Sequence, residues 1–127
     1  MSEIPLTAVV DDDEAIREAV QSLIRSAGFS AEAFPSAEDV FLSGLLQDTA
    51  CLIVDVRLPR ISGLELHQQL TVANCPTPAI FITAHGDAEM RARALRAGAA
   101  AFLDKPFSDE VLLRAVQTAL LSSRVGV

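Results

Sequence analysis

Lysine is almost absent from this sequence: nine of its ten basic residues are arginine, and Lys105 is the exception. Tryptophan and tyrosine are missing altogether, and the only cysteines are Cys51 and Cys75. Their separation fits neither a Cys-x-x-Cys pair nor a zinc-ligand spacing, which leaves two reduced, partly buried thiols as the expectation. No apolar run approaches the ~20 residues that cross a bilayer, and Met1 to Leu6 lack the charged and apolar regions of a signal peptide, so a cytoplasmic location is expected. Positive charge is scarce too, with 17 acidic against 10 basic side chains and a net charge of −7. That balance repels a phosphate backbone or an anionic membrane, and argues against direct nucleic-acid binding by this chain. What is plentiful is apolar material, 50% of 127 residues. It excludes disorder and supplies the core of one domain, not two.

Short apolar runs alternate with longer helical patterns. Leu6 to Val10 reads as a buried strand. Ile16, Ala19, Val20, Leu23, Ile24 and Ala27 then recur at three and four, a helix with one buried face that Gly28 stops. Phe29 to Phe34 alternates as a half-exposed edge strand does, and Ser36 with Asp39 predicts a second helix through about Leu46. Cys51 to Val54 is apolar throughout, as in a parallel strand covered on both faces, and ends in Asp55. Ser62 with Glu65 caps a third helix, to whose His67 no role is assigned. Ala79 to Thr83 is a fourth strand, and Asp87 is positioned to cap an Ala- and Arg-rich fourth helix that ends near Gly98. Ala100 to Leu103 is a fifth strand, and Leu112, Ala115, Val116, Ala119 and Leu120 mark a fifth helix. Five βα units joined by short loops predict a doubly wound α/β domain, a parallel sheet between two helical layers. The domain is expected over 1–122, with 123–127 a tail or the start of a linker.

In such sheets ligands bind beyond the carboxyl ends of the strands, where strand order reverses. The first strand ends there in Asp11, Asp12, Asp13 and Glu14. Helix capping accounts for Asp13 and Glu14, but clustered like charges directly after a buried strand repel unless a cation lies between them. Asp11, Asp12 and Asp55 offer hard oxygen ligands suited to Mg²⁺. Asp55 alone is what a turn or cap supplies; its chemical alternative is a nucleophile that forms an aspartyl phosphate. That reaction needs in-line positioning and neutralised equatorial oxygens. Lys105 offers a fixed positive charge, Thr83 a hydroxyl for a phosphoryl oxygen, and Ala84 room for the group to enter.

These residues resemble the receiver domains of two-component response regulators. The likeness rests on Val9 to Glu14, Leu52 to Pro59 with Ser62-Gly63, Phe81 to Ala84, and Ala97 to Ala99 through Phe102 to Phe107, and it spans essentially the whole chain. Thr83 to Asp87 and the Lys105-Pro106-Phe107 ending are most similar to the FixJ-type subgroup. The resemblance implies strand order 2-1-3-4-5, the order for which flavodoxin and a receiver protein are standard examples. It implies Asp55 as phosphoacceptor, a Mg²⁺ (or Mn²⁺) site of Asp11, Asp12, Asp55 and the Arg57 backbone carbonyl, and contacts from Thr83 and Lys105 to the phosphoryl group. It further implies a cis Lys105-Pro106 bond, a sensor histidine kinase as phosphoryl donor, and a switch in which Phe102 turns inward as Thr83 moves. The surface of the fourth helix, fifth strand and fifth helix would respond, controlling a homodimer and a transcriptional output through a DNA-binding domain absent here. Phe102 stands where many receivers have Tyr, so burial alone must drive it. The implied protein is a signalling switch, not an enzyme beyond its own phosphorylation and dephosphorylation. Arg57 and His85, each two residues past a site residue, fall where receivers vary.

Other classes fit less well. A haloacid-dehalogenase-like phosphatase needs a second Asp two residues after its nucleophile, and Arg57 occupies that place. A flavodoxin-like carrier needs a neutral phosphate loop after the first strand and aromatic residues beside its flavin. The remaining alternative is a pseudo-receiver, an interaction module independent of phosphorylation, against which stand the intact Asp11, Asp12, Asp55, Thr83 and Lys105. The single Lys gains meaning here, since a compact ammonium fits beside a phosphoryl group where a planar guanidinium would crowd it.

Overall fold

A computed structural model describes residues 5–75, 77–84, 86 and 88–125, with side chains described as far as residue 121. Five strands, β1 (Leu6–Val10), β2 (Ser30–Phe34), β3 (Thr49–Asp55), β4 (Ala79–Thr83) and β5 (Ala101–Asp104), alternate with five helices. The helices are α1 (Glu14–Ser26), α2 (Ala37–Ser43), α3 (Gly63–Val72), α4 (Ala88–Arg96) and α5 (Asp109–Val125). All strand pairs are parallel, in the order β2-β1-β3-β4-β5. This is the doubly wound sheet that the alternating pattern predicts.

Strand parity produces the layers. Ala8, Val10, Leu52, Val54 and Phe81 share a core with Val40 of α2, Leu66 and Leu70 of α3, and Ala94 of α4. The intervening residues Val9, Ile53, Ile80 and Ile82 share another with Val20 and Ile24 of α1 and Leu112 and Val116 of α5. Successive strand side chains point to opposite faces, so Cys51 to Val54, buried at every position, requires helices on both sides. Each such Leu, Ile or Val contributes about 1.5–3 kcal/mol by leaving water. The edge strand β2 instead exposes Glu32. Both thiols are free; burial pushes the Cys51 thiol up to about 12, and half-buried Cys75 places its Sγ 3.3 Å from Thr77 Oγ1.

Several boundaries differ from the sequence pattern by one or two residues, and two by about three. The second helix stops at Ser43, because Gly44 adopts a left-handed φ of 73° that glycine takes without a Cβ clash. Leu46 then packs on the core from a short 3₁₀ turn, Leu46–Asp48, not from a continued helix. At the other end, the segment expected as a tail continues α5 through Val125. Asp87, expected as a cap, and His85 lie outside the described residues, as do 126 and 127. No described helix is long and apolar enough to cross a membrane.

Candidate functional site

Strand order reverses between β1 and β3, and the chain delivers its acids at that point. Asp11 follows β1 with no exposure to solvent, its N–H still donating to the Phe34 carbonyl of the β2 end at 3.2 Å. Its Oδ1 accepts from the Asp13 N–H at 2.9 Å and its Oδ2 from the Lys105 ammonium at 2.8 Å. Asp55 closes β3; its Oδ1 accepts from the Arg57 N–H at 2.9 Å and its Oδ2 from Lys105 at 3.1 Å. Asp12 is exposed, and one oxygen from each of Asp11, Asp12 and Asp55 lies within 4.8 Å of the others. Asp13 takes the capping role assigned to it, accepting from the Ala15 and Ile16 N–H groups of α1.

The other candidates arrive from β4 and β5. Thr83, fully buried, accepts at its backbone carbonyl from the Lys105 N–H at 2.8 Å, which ties the end of β4 to the residue bearing the ammonium. The Lys105-Pro106 bond is cis, as expected. Phe102 points inward with 4% exposure, and the guanidinium carbon of Arg91 stands 5.6 Å from its ring centroid. Arg57 and Asp12 line a cleft of about 680 Å³ that extends to Met90 and Arg93 of α4.

The electrostatics favour a further cation. Burial raises the Asp11 carboxyl above its ordinary value, and the neighbouring Asp55 charge adds to that, against the lowering effect of the Lys105 and Asp13 hydrogen bonds. Burial alone would depress the Lys105 ammonium, but its hydrogen bonds to Asp11 and Asp55 and their charges outweigh that and raise it. Three carboxylates and one ammonium leave a formal charge of −2 on hard oxygen donors. That donor set fits Mg²⁺, which takes one or two protein carboxylates with water and phosphate oxygens.

Two glycines that the sequence offered only as members of the family motifs shape this edge. A Cβ on Gly63 would lie 2.4 Å from the Asp55 carbonyl oxygen, so only glycine lets the start of α3 pass so close beneath β3. A Cβ on Gly86 would lie 2.7 Å from both Thr83 Cγ2 and Asp104 Oδ1 and 2.9 Å from Phe102 Cε1. Neither contact leaves a signal in hydrophobic periodicity. His67 is buried on α3, its ring edge-on to Phe81 at 5.5 Å.

A parallel sheet in this order, with an acid cluster at its carboxyl edge spanned by a lysine, defines a receiver-type signalling domain. The response regulator receiver domain model matches residues 7–117, and the chain belongs to that family. Its members are signalling switches, not enzymes. The chain is 47% identical over 113 residues to the response regulator protein TodT of Pseudomonas putida F1, covering 88% of this chain and 49% of TodT. It is 39% identical over 112 residues to the transcriptional regulatory protein FixJ of Azorhizobium caulinodans, covering 88% and 53%. The solved structure of the response regulator StyR superposes with a TM-score of 0.86 at 44% identity, over 96% of this chain and 62% of that one. The chain thus spans about half the length of these two sequence relatives, one of which is a FixJ, the type that the sequence suggested.

Proposed function

We propose that this domain is a phosphorylation-driven switch whose phosphoacceptor is Asp55. The observation that carries this reading is the Lys105 ammonium held between Asp11 and Asp55, with the Asp12 carboxylate beside them. An Asp55 carboxylate oxygen attacks phosphorus in line, and the bond from phosphorus to the imidazole nitrogen of a sensor kinase phosphohistidine breaks, returning the electron pair to that nitrogen. Lys105 and the Thr83 hydroxyl hold phosphoryl oxygens in the product. Asp11, Asp12, Asp55 and the Arg57 carbonyl would hold Mg²⁺ or Mn²⁺, which would supply positive charge to offset that on the transferring group. Movement of Thr83 toward the phosphoryl group is relayed through Phe102 to the surface formed by α4, β5 and α5.

On this reading the partners are a cognate histidine kinase and a second copy of the domain, in the cytoplasm. Transcriptional output lies in a DNA-binding domain joined after a receiver of residues 1–122, with 123–127 a tail or the start of a linker toward it. The relatives' names support a transcriptional output, which is theirs by name and this protein's by proposal.

The test is incubation with acetyl phosphate or phosphoramidate and Mg²⁺, followed by intact-mass analysis. One phosphoryl group that hydroxylamine removes and Asp55→Asn prevents is expected. Label persisting in that variant overturns the assignment, and failure of the wild type to take either label or beryllofluoride identifies a pseudo-receiver.

A further inference from the structure

The Asp12 carboxylate, alone of the three, has no hydrogen-bond donor among the described residues, whereas Asp11 and Asp55 each have two. It is also the exposed member of the cluster. No described donor therefore fixes where Asp12 presents its oxygens, and that task falls to the backbone from which it springs.

That backbone is held by Arg17. Its Nη1 donates to the carbonyl oxygen of Asp11 at 2.8 Å, and so grips the peptide unit joining Asp11 to Asp12. The same peptide segment is fixed on its other side, where the Asp11 N–H reaches Phe34 and the Asp13 N–H reaches Asp11 Oδ1. Helix stability does not explain the arginine. It is the fourth residue of α1, near the positive end of the helix dipole, where acidic side chains are favoured and a cation is disfavoured. Half-burial of Arg17 alongside this hydrogen bond points to the Asp11 carbonyl as its purpose.

We infer that Arg17 is a positioning residue for the divalent-cation site: by clamping the Asp11-Asp12 peptide it sets the direction of the Asp12 carboxylate. The inference rests on the proposed reading of that site as a Mg²⁺ site. It makes a prediction opposite in sign to simple electrostatics, in which deleting a cation beside an acid cluster tightens binding of another cation.

The test is titration of the metal-free protein with Mn²⁺, with free Mn²⁺ followed by electron paramagnetic resonance, for wild type, Arg17→Ala and Arg17→Gln, alongside urea unfolding of each without metal. Arg17→Ala should bind Mn²⁺ about tenfold more weakly, the lower end of what loss of a ligand-orienting contact costs. Arg17→Gln, which retains a donor but no charge, should recover part of that loss. Saturating Mg²⁺ should return the rate of phosphorylation by phosphoramidate in Arg17→Ala to the wild-type value, which a general disturbance of the domain would not. Affinity in Arg17→Ala equal to or tighter than wild type, with the variant folded, overturns the positioning role. Absence of binding by the wild type itself would instead overturn the reading of the site.

Discussion

Lys105 reaches back across 94 residues of sequence to set its ammonium 2.8 Å from Oδ2 of Asp11, a carboxylate with no solvent exposure. The buried charge of Asp11 is thus balanced from the far end of the sheet, by the same cation that holds Asp55. A metal ion held by the cluster would share both carboxylates with that ammonium.

Lys105→Met should therefore cost about 3 kcal/mol in urea unfolding without metal, because it strands a buried carboxylate. Mg²⁺ at a hundredfold excess over its dissociation constant should return about 2.7 kcal/mol. The pH dependence has a definite sign. A carboxyl raised in the folded state binds its proton more tightly there than when unfolded, so its contribution falls as pH rises through the folded value. Loss of the lowering contact from Lys105 enlarges the rise at Asp11, and metal-free Lys105→Met should lose more stability at pH 7 than at pH 4. Stability of Lys105→Met unchanged by Mg²⁺ would separate Lys105 from the metal carboxylates.

Lys105→Arg keeps the charge and should stay within about 1 kcal/mol of wild type in the same experiment, the range of a pair that still forms. It should nevertheless impair the phosphorylated state, since a planar fork occupies the space of the phosphoryl oxygens. Size-exclusion chromatography with and without beryllofluoride checks this. An unchanged shift toward dimer would contradict it.

Gly63→Ala should cost about 1–3 kcal/mol, the usual penalty of overpacking, because the atom it meets at 2.4 Å is main chain. That atom belongs to Asp55, so Mn²⁺ affinity should fall as well. Gly98→Ala is the contrast: its φ of 97° strains any side chain, but open space surrounds the added Cβ. It should lower stability while leaving metal affinity alone.

His67 gives a separate acid response. Burial lowers its imidazole below the ordinary 6.5, and Arg93 and Arg96 line the cleft it faces. In this window the unfolded chain binds the extra proton, so stability rises with pH up to about 6.5 and is lost on acidification below it. Urea midpoints at pH 7.5 and 5.5 should differ less in His67→Gln than in wild type. Equal slopes would place the acid sensitivity elsewhere.

The Arg91 contact with Phe102 should appear as a coupling of about 0.5–1 kcal/mol in a double-mutant cycle with Arg91→Ala and Phe102→Leu. Urea unfolding of the four proteins measures it. Additive losses would reduce the contact to mere proximity.

Strand positions were readable because burial on both faces forces unbroken apolar runs such as Cys51 to Val54, and each ends abruptly in a polar residue. The meeting of Asp11, Asp55 and Lys105 followed from that rule and from strand order. The end of α2 was misjudged because Leu45 and Leu46 prolong the helical period, while the decisive signal, Gly44, acts through backbone conformation. Arg17 was invisible for a related reason: a side chain seeking a main-chain carbonyl obeys no periodicity, and only the shape of the loop after β1 brings the two together. Gly63 and Gly86 were legible only as members of family motifs, because what matters at each is the atom a side chain would strike.

The last strand of the sheet also has a consequence for synthesis. Residues 11 and 55 leave the ribosome well before residue 105, and β5 pairs only with β4. A growing chain that has emerged through β4 still lacks the ammonium that completes the acid pocket. Competence for the proposed reaction therefore arrives with the last strand, and a truncated or partly made domain would hold its acids without their counter-charge. A kinase that recognises the finished pocket would in effect count only whole receivers.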